Sequence, residues 1–338
     1  MPRSTPFALL GALAVALVAL FANQVSQAGQ AGRAAIPYKP GPGPHAVAVG
    51  LYDWVDAARK RAVPVKIYSP KGGDGPYPVI LFSHGLGSSR DTYEYLGRHW
   101  ASYGYVVVHL QHRGSDSAIL SGQDGEAFTR ATSEEVAFTR PADVRFAIDR
   151  LAALNRDEPS VKGKLDLDRI GLAGHSYGAW TTLAVAGQVI LSSTGRERYF
   201  QDPRVKAAIS MSGAVPLDRA QHSLVYRRIK IPIFHMTGTL DDSPLPGGNK
   251  AVERRAAFDH ITGADQYLVT FTGGDHMVFY GEGGSEKEKT FHSLIKMGSI
   301  AFWDAYLKGE PEARAWLSRG GFAGVLGDEG VFEEKVKG

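Results

Sequence analysis

From residue 46 onward the chain alternates two hydrophobic rhythms. Short apolar and β-branched runs at 46–52, 63–68, 79–83, 105–110, 170–174, 205–211, 231–237 and 267–271 predict eight strands. Between and after them, apolar positions recur at helical spacing over 91–102, 142–154, 177–188, 249–260 and 287–307. The first two or three strands follow one another closely, which predicts an antiparallel entry. The later ones are separated by helices, and that requires crossover connections and a parallel sheet. No internal repeat is evident. The pattern predicts one α/β domain over 46–338, a mostly parallel eight-stranded sheet flanked by helices in three layers.

Two connections shape the expected site. The gap from Ser212 to Lys230 has room for about one helix at ~1.5 Å per residue, so no large cap is expected there. The longest irregular stretch, 113–141, follows a strand end. Ligands of open α/β sheets bind at the carboxyl ends of strands, so this stretch is expected to line one wall of the site.

The N-terminus has a different pattern. Arg3 precedes a continuous apolar stretch, 7–21, and a polar segment with small residues follows at 23–28. Ser26 and Ala28 suit the positions before a cleavage point, so 1–28 is expected to be a signal peptide with a mature start near Gly29. The apolar run is shorter than the roughly 20 residues of a spanning helix, so no stable membrane insertion is expected after cleavage. Residues 29–45, rich in glycine, proline and alanine, are expected to be a linker. The protein would then be exported, to the periplasm or beyond. It has no cysteine, which excludes disulfides, a thiol nucleophile and thiolate metal sites. A formal charge of +3 over 338 residues does not point to a nucleic-acid partner.

The chemistry concentrates at Gly174-His175-Ser176-Tyr177-Gly178, between a predicted strand and a predicted helix. A serine at the apex of a sharp strand-to-helix turn is the nucleophile elbow of an α/β-hydrolase. A serine hydroxyl is a poor nucleophile near neutral pH and needs a histidine held in the correct tautomer by a carboxylate. In this fold the chain order is serine, acid, histidine. The strand at 231–237 runs into Gly238-Thr239-Leu240-Asp241-Asp242, which makes Asp241 the expected acid, with Asp242 as the alternate. The strand at 267–271 runs into Gly273-Gly274-Asp275-His276, which makes His276 the expected base. His175, His235, His260 and His292 are expected to pack or lie at the surface. A tetrahedral anion needs two backbone donors. These are assigned to Tyr177, after the serine, and to Leu86 in the loop Ser83-His84-Gly85-Leu86-Gly87. The scattered histidines show no metal-ligand spacing, and no glycine-rich turn carries a phosphate-binding lysine, so neither metal nor cofactor is expected.

With these residues in place, the chain resembles the serine α/β-hydrolases grouped with dienelactone hydrolases and platelet-activating-factor acetylhydrolases. The resemblance runs from about Asp53 to Leu317. It includes Asp56-Ala57-Ala58-Arg59-Lys60-Arg61, Tyr68-Ser69-Pro70, His84-Gly85-Leu86-Gly87, Arg140-Pro141-Ala142-Asp143, the elbow, and Asp275-His276-Met277. Dienelactone hydrolases use a cysteine nucleophile, which this chain lacks, so the resemblance implies ester hydrolysis by serine. The expectation is a short-chain esterase acting on a small-molecule ester. A polyester or lipid-ester hydrolase, an acyltransferase and a catalytically idle binding protein stay open as alternatives, as does the oligomeric state.

Overall fold

Strands that are apolar on both faces form the centre of the molecule. The computed structural model describes residues 38–73, 75–120, 126–281 and 284–337. The expected signal peptide, 1–28, lies outside the described residues, as does the first part of the expected linker. Residues 38–45, assigned to that linker, instead pack on the domain. Tyr38 is buried against Trp316 with ring centroids 5.0 Å apart, and Gly43 N–H donates to Ser102 Oγ at 2.8 Å.

In chain order the strands are β1 (Val47–Asp56), β2 (Arg61–Pro70), β3 (Tyr77–Ser83), β4 (Val106–Leu110), β5 (Leu165–His175), β6 (Ile190–Leu191), β7 (Glu197–Arg198), β8 (Val205–Met211), β9 (Ile233–Leu240), β10 (Gln266–Asp275) and β11 (Gly330–Lys335). Among the described residues, all but β6 and β7 form one nine-stranded sheet in the order β1-β2-β4-β3-β5-β8-β9-β10-β11. The pairs β1/β2, β2/β4 and β10/β11 are antiparallel, and the run from β4 through β10 is parallel. The eight predicted strands are all present. The ninth, β11, corrects the expected count. Its sequence Gly-Val-Phe-Glu-Glu-Lys is mostly polar because it is an edge strand, partly exposed, and so lacks the apolar signature of the interior.

The helices are α1 (Glu94–Ser102), α2 (Ala127–Ala131), α3 (Glu134–Asp157), α4 (Tyr177–Ala186), α5 (His222–Tyr226), α6 (Ala256–His260), α7 (Glu286–Trp303), α8 (Pro311–Ser318) and α9 (Gly321–Leu326). Successive residues of β3 face opposite layers, as the pleat demands. Ile80 and Phe82 join the core under α1 and α7 with Trp100, Phe302 and Trp303. Val79 and Leu81 join the core under α3 with Val144 and Ile148.

Three helix boundaries differ from expectation. α3 begins at Glu134, eight residues before its expected start, so the stretch 113–141 is less irregular than predicted and also holds a 3-10 turn, Ser117–Leu120, and α2. Ser133 caps α3 by accepting from Val136 N–H, and Glu134 and Glu135 suit the positive end of its dipole. Pro141 lies inside this helix and masked its first turns in the sequence. The 249–260 helix reduces to a 3-10 turn, Ala251–Glu253, followed by α6. The 287–307 helix passes at Asp304 into a π-helical turn that ends at Gly309. Between β8 and β9 there is a 3-10 turn, Arg219–Gln221, and α5, with no large cap.

Candidate active site

The parallel strands all end on the same edge of the sheet, and β5, β8, β9 and β10 deliver the chemistry there. β5 ends at His175, and Ser176 turns the chain into α4 with φ 56° and ψ −116°, a left-handed conformation strained for a serine. The flanking glycines are sterically required. A Cβ on Gly178 would run into the Ser83 carbonyl, and one on Gly174 into the Gly178 carbonyl.

His276 follows β10 directly, in a turn where Met277 N–H donates to Asp275 Oδ1 at 2.8 Å. Its Nε2 lies 2.9 Å from Ser176 Oγ, and its Nδ1 lies 2.8 Å from Asp241 Oδ1. The structure therefore brings together Ser176, His276 and Asp241. Asp242 is turned outward, where it accepts from Lys250 Nζ at 2.8 Å and from Ala251 N–H at 2.9 Å. Both aspartates lie just past the end of β9, in a turn where Asp241 N–H donates to the Gly238 carbonyl and Asp242 N–H to the Leu240 carbonyl.

Asp241 is fully buried and richly partnered. The hydroxyls of Ser212 and Thr237 both donate to its Oδ2, the latter at 2.7 Å. Arg254 Nε lies 3.5 Å from Oδ1 and donates to the Asp241 backbone carbonyl at 3.1 Å. Burial works to raise this carboxyl, but the His276 hydrogen bond, the Arg254 charge and the Ser212 hydroxyl outweigh it and hold it below the ordinary carboxylate value. Sequence reasoning missed Ser212, Thr237 and Arg254. Ser212 and Thr237 were open to discovery, because each lies at the carboxyl end of a strand beside the expected acid. Arg254 carries no such signal.

Leu86 and Tyr177 line the same cleft as Ser176. Beneath the Ser83–Gly87 loop lies a buried polar network that unites three of the sequence motifs. Arg140 donates to Thr181 Oγ1 at 2.9 Å, to Ser115 Oγ at 2.8 Å, to Ser83 Oγ at 3.1 Å and to the His84 carbonyl. Asp143 accepts from Arg59 Nη1 and Arg61 Nε, both at 2.8 Å, and pairs with His112 Nδ1 at 3.0 Å. His112 Nε2 lies 2.9 Å from Ser83 Oγ. This second Ser-His-Asp chain is sealed from solvent, so it braces the loop and is closed to substrate. His84 donates from Nδ1 to the Gly85 carbonyl at 2.6 Å and accepts from His112 N–H at 3.0 Å. Burial and the Arg140 charge push it well below its ordinary value, so it is neutral.

The cleft over Ser176 encloses about 430 Å³. Ile119, Leu120, Phe128 and Thr132, which fall in the stretch expected to border the site, line it together with Met277 and Tyr280. Trp180 also faces the cleft. The Tyr177 ring rests on Arg140, whose guanidinium carbon is 4.4 Å from the ring centroid. Among the described residues, no group of three or more His, Asp or Glu is placed to hold a metal ion.

The family described as "Platelet-activating factor acetylhydrolase, isoform II" matches residues 55–143, and the family described as "Serine hydrolase (FSH1)" matches residues 166–278. The second match contains the elbow, Asp241 and His276. The chain falls in the serine α/β-hydrolase-like group. Within that group it is similar to the platelet-activating factor acetylhydrolase of Canis lupus familiaris, 26% identical over 249 residues that cover 64% of this chain and 51% of the relative. The same-named protein of Cavia porcellus is 29% identical over 153 residues, 36% of this chain and 34% of the relative. A probable 1-alkyl-2-acetylglycerophosphocholine esterase of Arthroderma benhamiae is 29% identical over 150 residues, 43% of this chain and 33% of the relative. The hydrolase-like chain thus spans from about a third to about half the length of these relatives. Among its described residues, no helix is long and apolar enough to cross a membrane.

Proposed function

We propose that this protein hydrolyses short-acyl carboxylic esters through an acyl-enzyme on Ser176. The carrying observation is the hydrogen-bonded series Ser176–His276–Asp241 at the floor of a largely apolar cleft. Ser176 Oγ attacks the ester carbonyl carbon as His276 Nε2 takes its proton. The Leu86 and Tyr177 N–H groups donate to the developing oxyanion. Collapse breaks the bond to the alcohol oxygen, which leaves with the proton from His276. Water then repeats the sequence on the acyl-enzyme and releases the acid. Asp241 holds His276 in the Nδ1–H tautomer and offsets the charge of the imidazolium.

The short-acyl reading rests on the absence of a large cap between β8 and β9 and on the open cleft. Each buried methylene contributes about 0.8 kcal/mol, so gain stops where the walls stop. In a series of p-nitrophenyl esters below their aggregation limits, acetyl to butyryl should be preferred over palmitoyl. A steady rise in kcat/KM through the long chains would instead indicate an enclosed acyl tunnel. The alcohol side supports a second, narrower reading. Leu120, Phe128, Leu245, Met277 and Tyr280 are exposed around the cleft, and the relatives' names refer to an acetylated ether phospholipid. These favour a short acyl group on an alcohol that carries hydrocarbon. Acetylated lipid presented above and below its critical micelle concentration distinguishes this from a purely soluble ester. The signal-peptide reading of 1–28 places this activity outside the cytoplasm, and N-terminal sequencing for a start near Gly29 checks it.

A further inference from the structure

His175, the residue before the serine, does not touch the Ser176 hydroxyl, yet it is buried among the loops that carry the site. Its Nε2 lies 2.8 Å from the backbone carbonyl oxygen of His276, and its Nδ1 lies 2.8 Å from the Tyr93 hydroxyl. A carbonyl can only accept, so Nε2 carries the proton. Nδ1 is then bare and accepts from Tyr93 O–H. Burial first, and then the neighbouring His276, push His175 down to about 3, so it cannot hold protons on both nitrogens near neutrality. The His276 carbonyl thereby selects the tautomer, and Tyr93 completes it by donating to Nδ1.

Tyr93 is itself firmly held. It is buried, has φ 59°, and packs with ring centroids 4.7 Å from Phe82 and 5.4 Å from Tyr280. Its hydroxyl lies beside the oxyanion loop: a Cβ on Gly85 would stand 3.3 Å from that oxygen and 3.5 Å from His175 Nδ1. Three loops therefore meet at one imidazole. The elbow meets it through its own backbone, the Leu86 loop through Gly85, and the His276 loop through a hydrogen-bonded carbonyl. Asp241 fixes the rotation of the His276 ring, whereas the carbonyl contact fixes the position of its backbone.

We propose that His175 is a positioning residue, tying the backbone of the candidate base to the elbow through its Nε2–H, with Tyr93 holding the ring by donating to Nδ1. The inference rests on the catalytic reading of Ser176 and His276. A displacement of about 1 Å at the reacting groups costs on the order of 100-fold, so the tie acts on kcat and leaves substrate binding almost alone.

The test uses the mature chain with His175→Phe, His175→Gln and Tyr93→Phe. His175→Phe fills the space but has no donor, and its kcat on p-nitrophenyl acetate should fall about 10- to 100-fold with KM within about threefold. His175→Gln, whose amide N–H can reach the carbonyl, should recover most of that loss. The far-downfield proton resonance of the His276–Asp241 hydrogen bond should broaden in His175→Phe and persist in His175→Gln. Wild-type kcat in His175→Phe overturns the inference. So does an equal loss in both variants with the resonance unchanged, since that marks mere packing. If His175→Phe does not fold, Tyr93→Phe decides, because it deletes one oxygen. A several-fold lower kcat at constant KM supports the tie, and wild-type kcat refutes it. A wild-type protein with no turnover and no fluorophosphonate labelling of Ser176 would sink the catalytic reading itself, an outcome distinct from all of these.

Discussion

Replacing Asp241 by Asn leaves the side chain's shape and removes its charge, and the surroundings define the cost. One carboxylate oxygen receives the Ser212 and Thr237 hydroxyls, and the other faces His276 Nδ1 at 2.8 Å. The amide has two ways to sit. With its oxygen kept on the two hydroxyls, its NH2 faces His276 Nδ1. The imidazole proton must then move to Nε2, where it faces Ser176 and abolishes the base. A wrong tautomer of this kind costs about 10⁴-fold in kcat. With its oxygen turned to His276 the tautomer survives, but the imidazolium formed during the reaction has lost its counter-charge. For unit charges about 4 Å apart at an effective dielectric constant of about 20, that is roughly 4 kcal/mol. The loss corresponds to about 10³-fold in rate. The Arg254 guanidinium, with Nη2 3.5 Å from His276 Nδ1, is then no longer offset by Asp241 and repels the same imidazolium. Both routes converge on a loss of about 10³- to 10⁴-fold in kcat. The assay is steady-state hydrolysis of p-nitrophenyl acetate near neutral pH, with a thermal melt to establish that the variant is folded. Asp242→Asn is the control: it loses only an exposed pairing with Lys250 and should keep nearly all activity. An Asp241→Asn variant within tenfold of wild type, or a collapse in Asp242→Asn instead, would refute the reasoning.

Other expectations follow from the same contacts. Ser176→Ala should reduce hydrolysis to the residue left by the oxyanion donors and binding, roughly 10³–10⁴-fold above water, with an almost unchanged melting temperature; wild-type turnover would falsify the nucleophile assignment. Gly178→Ala drives a methyl into the Ser83 carbonyl, an overpacked backbone contact worth about 3 kcal/mol or more, to be read from the denaturant midpoint. Burial lowers His99, His109 and His175 to about 3 and His112 and His235 to about 4, against an ordinary 6.5. Because the folded values lie below the unfolded one, the unfolded chain binds more protons, and the stability these residues contribute is complete above about pH 6.5 and lost progressively toward about pH 3. Melting temperature should fall steadily across that window, and a flat profile would contradict the neutral burial of these rings.

Local signals within the chain determined much of the architecture. Parallel strands buried on both faces must be apolar throughout, so β3, β4 and β8 announce themselves, and their helical spacers impose crossovers. The elbow is equally local, because its glycines answer a steric demand only a few residues away. The positions following β9 and β10 are likewise defined by chain order, which is why Asp241 and His276 were open to selection among several carboxylates and histidines. What escaped had no local signature. β11 is polar because it lies at an edge, and α3 contains a proline that ordinarily stops a helix. The choice between Asp241 and Asp242 depended on which carboxylate the turn after β9 brings inward. The partners of Asp241, from Ser212 to Arg254, come together only when β8, β9 and the segment before α6 pack. The Arg59–Asp143–His112–Ser83 network and the His175–Tyr93 contact span 82 or more residues in places, and no periodicity encodes such distances. Tertiary structure decided these, because burying a charge or an imidazole is tolerable only where several separate segments supply its hydrogen bonds at once.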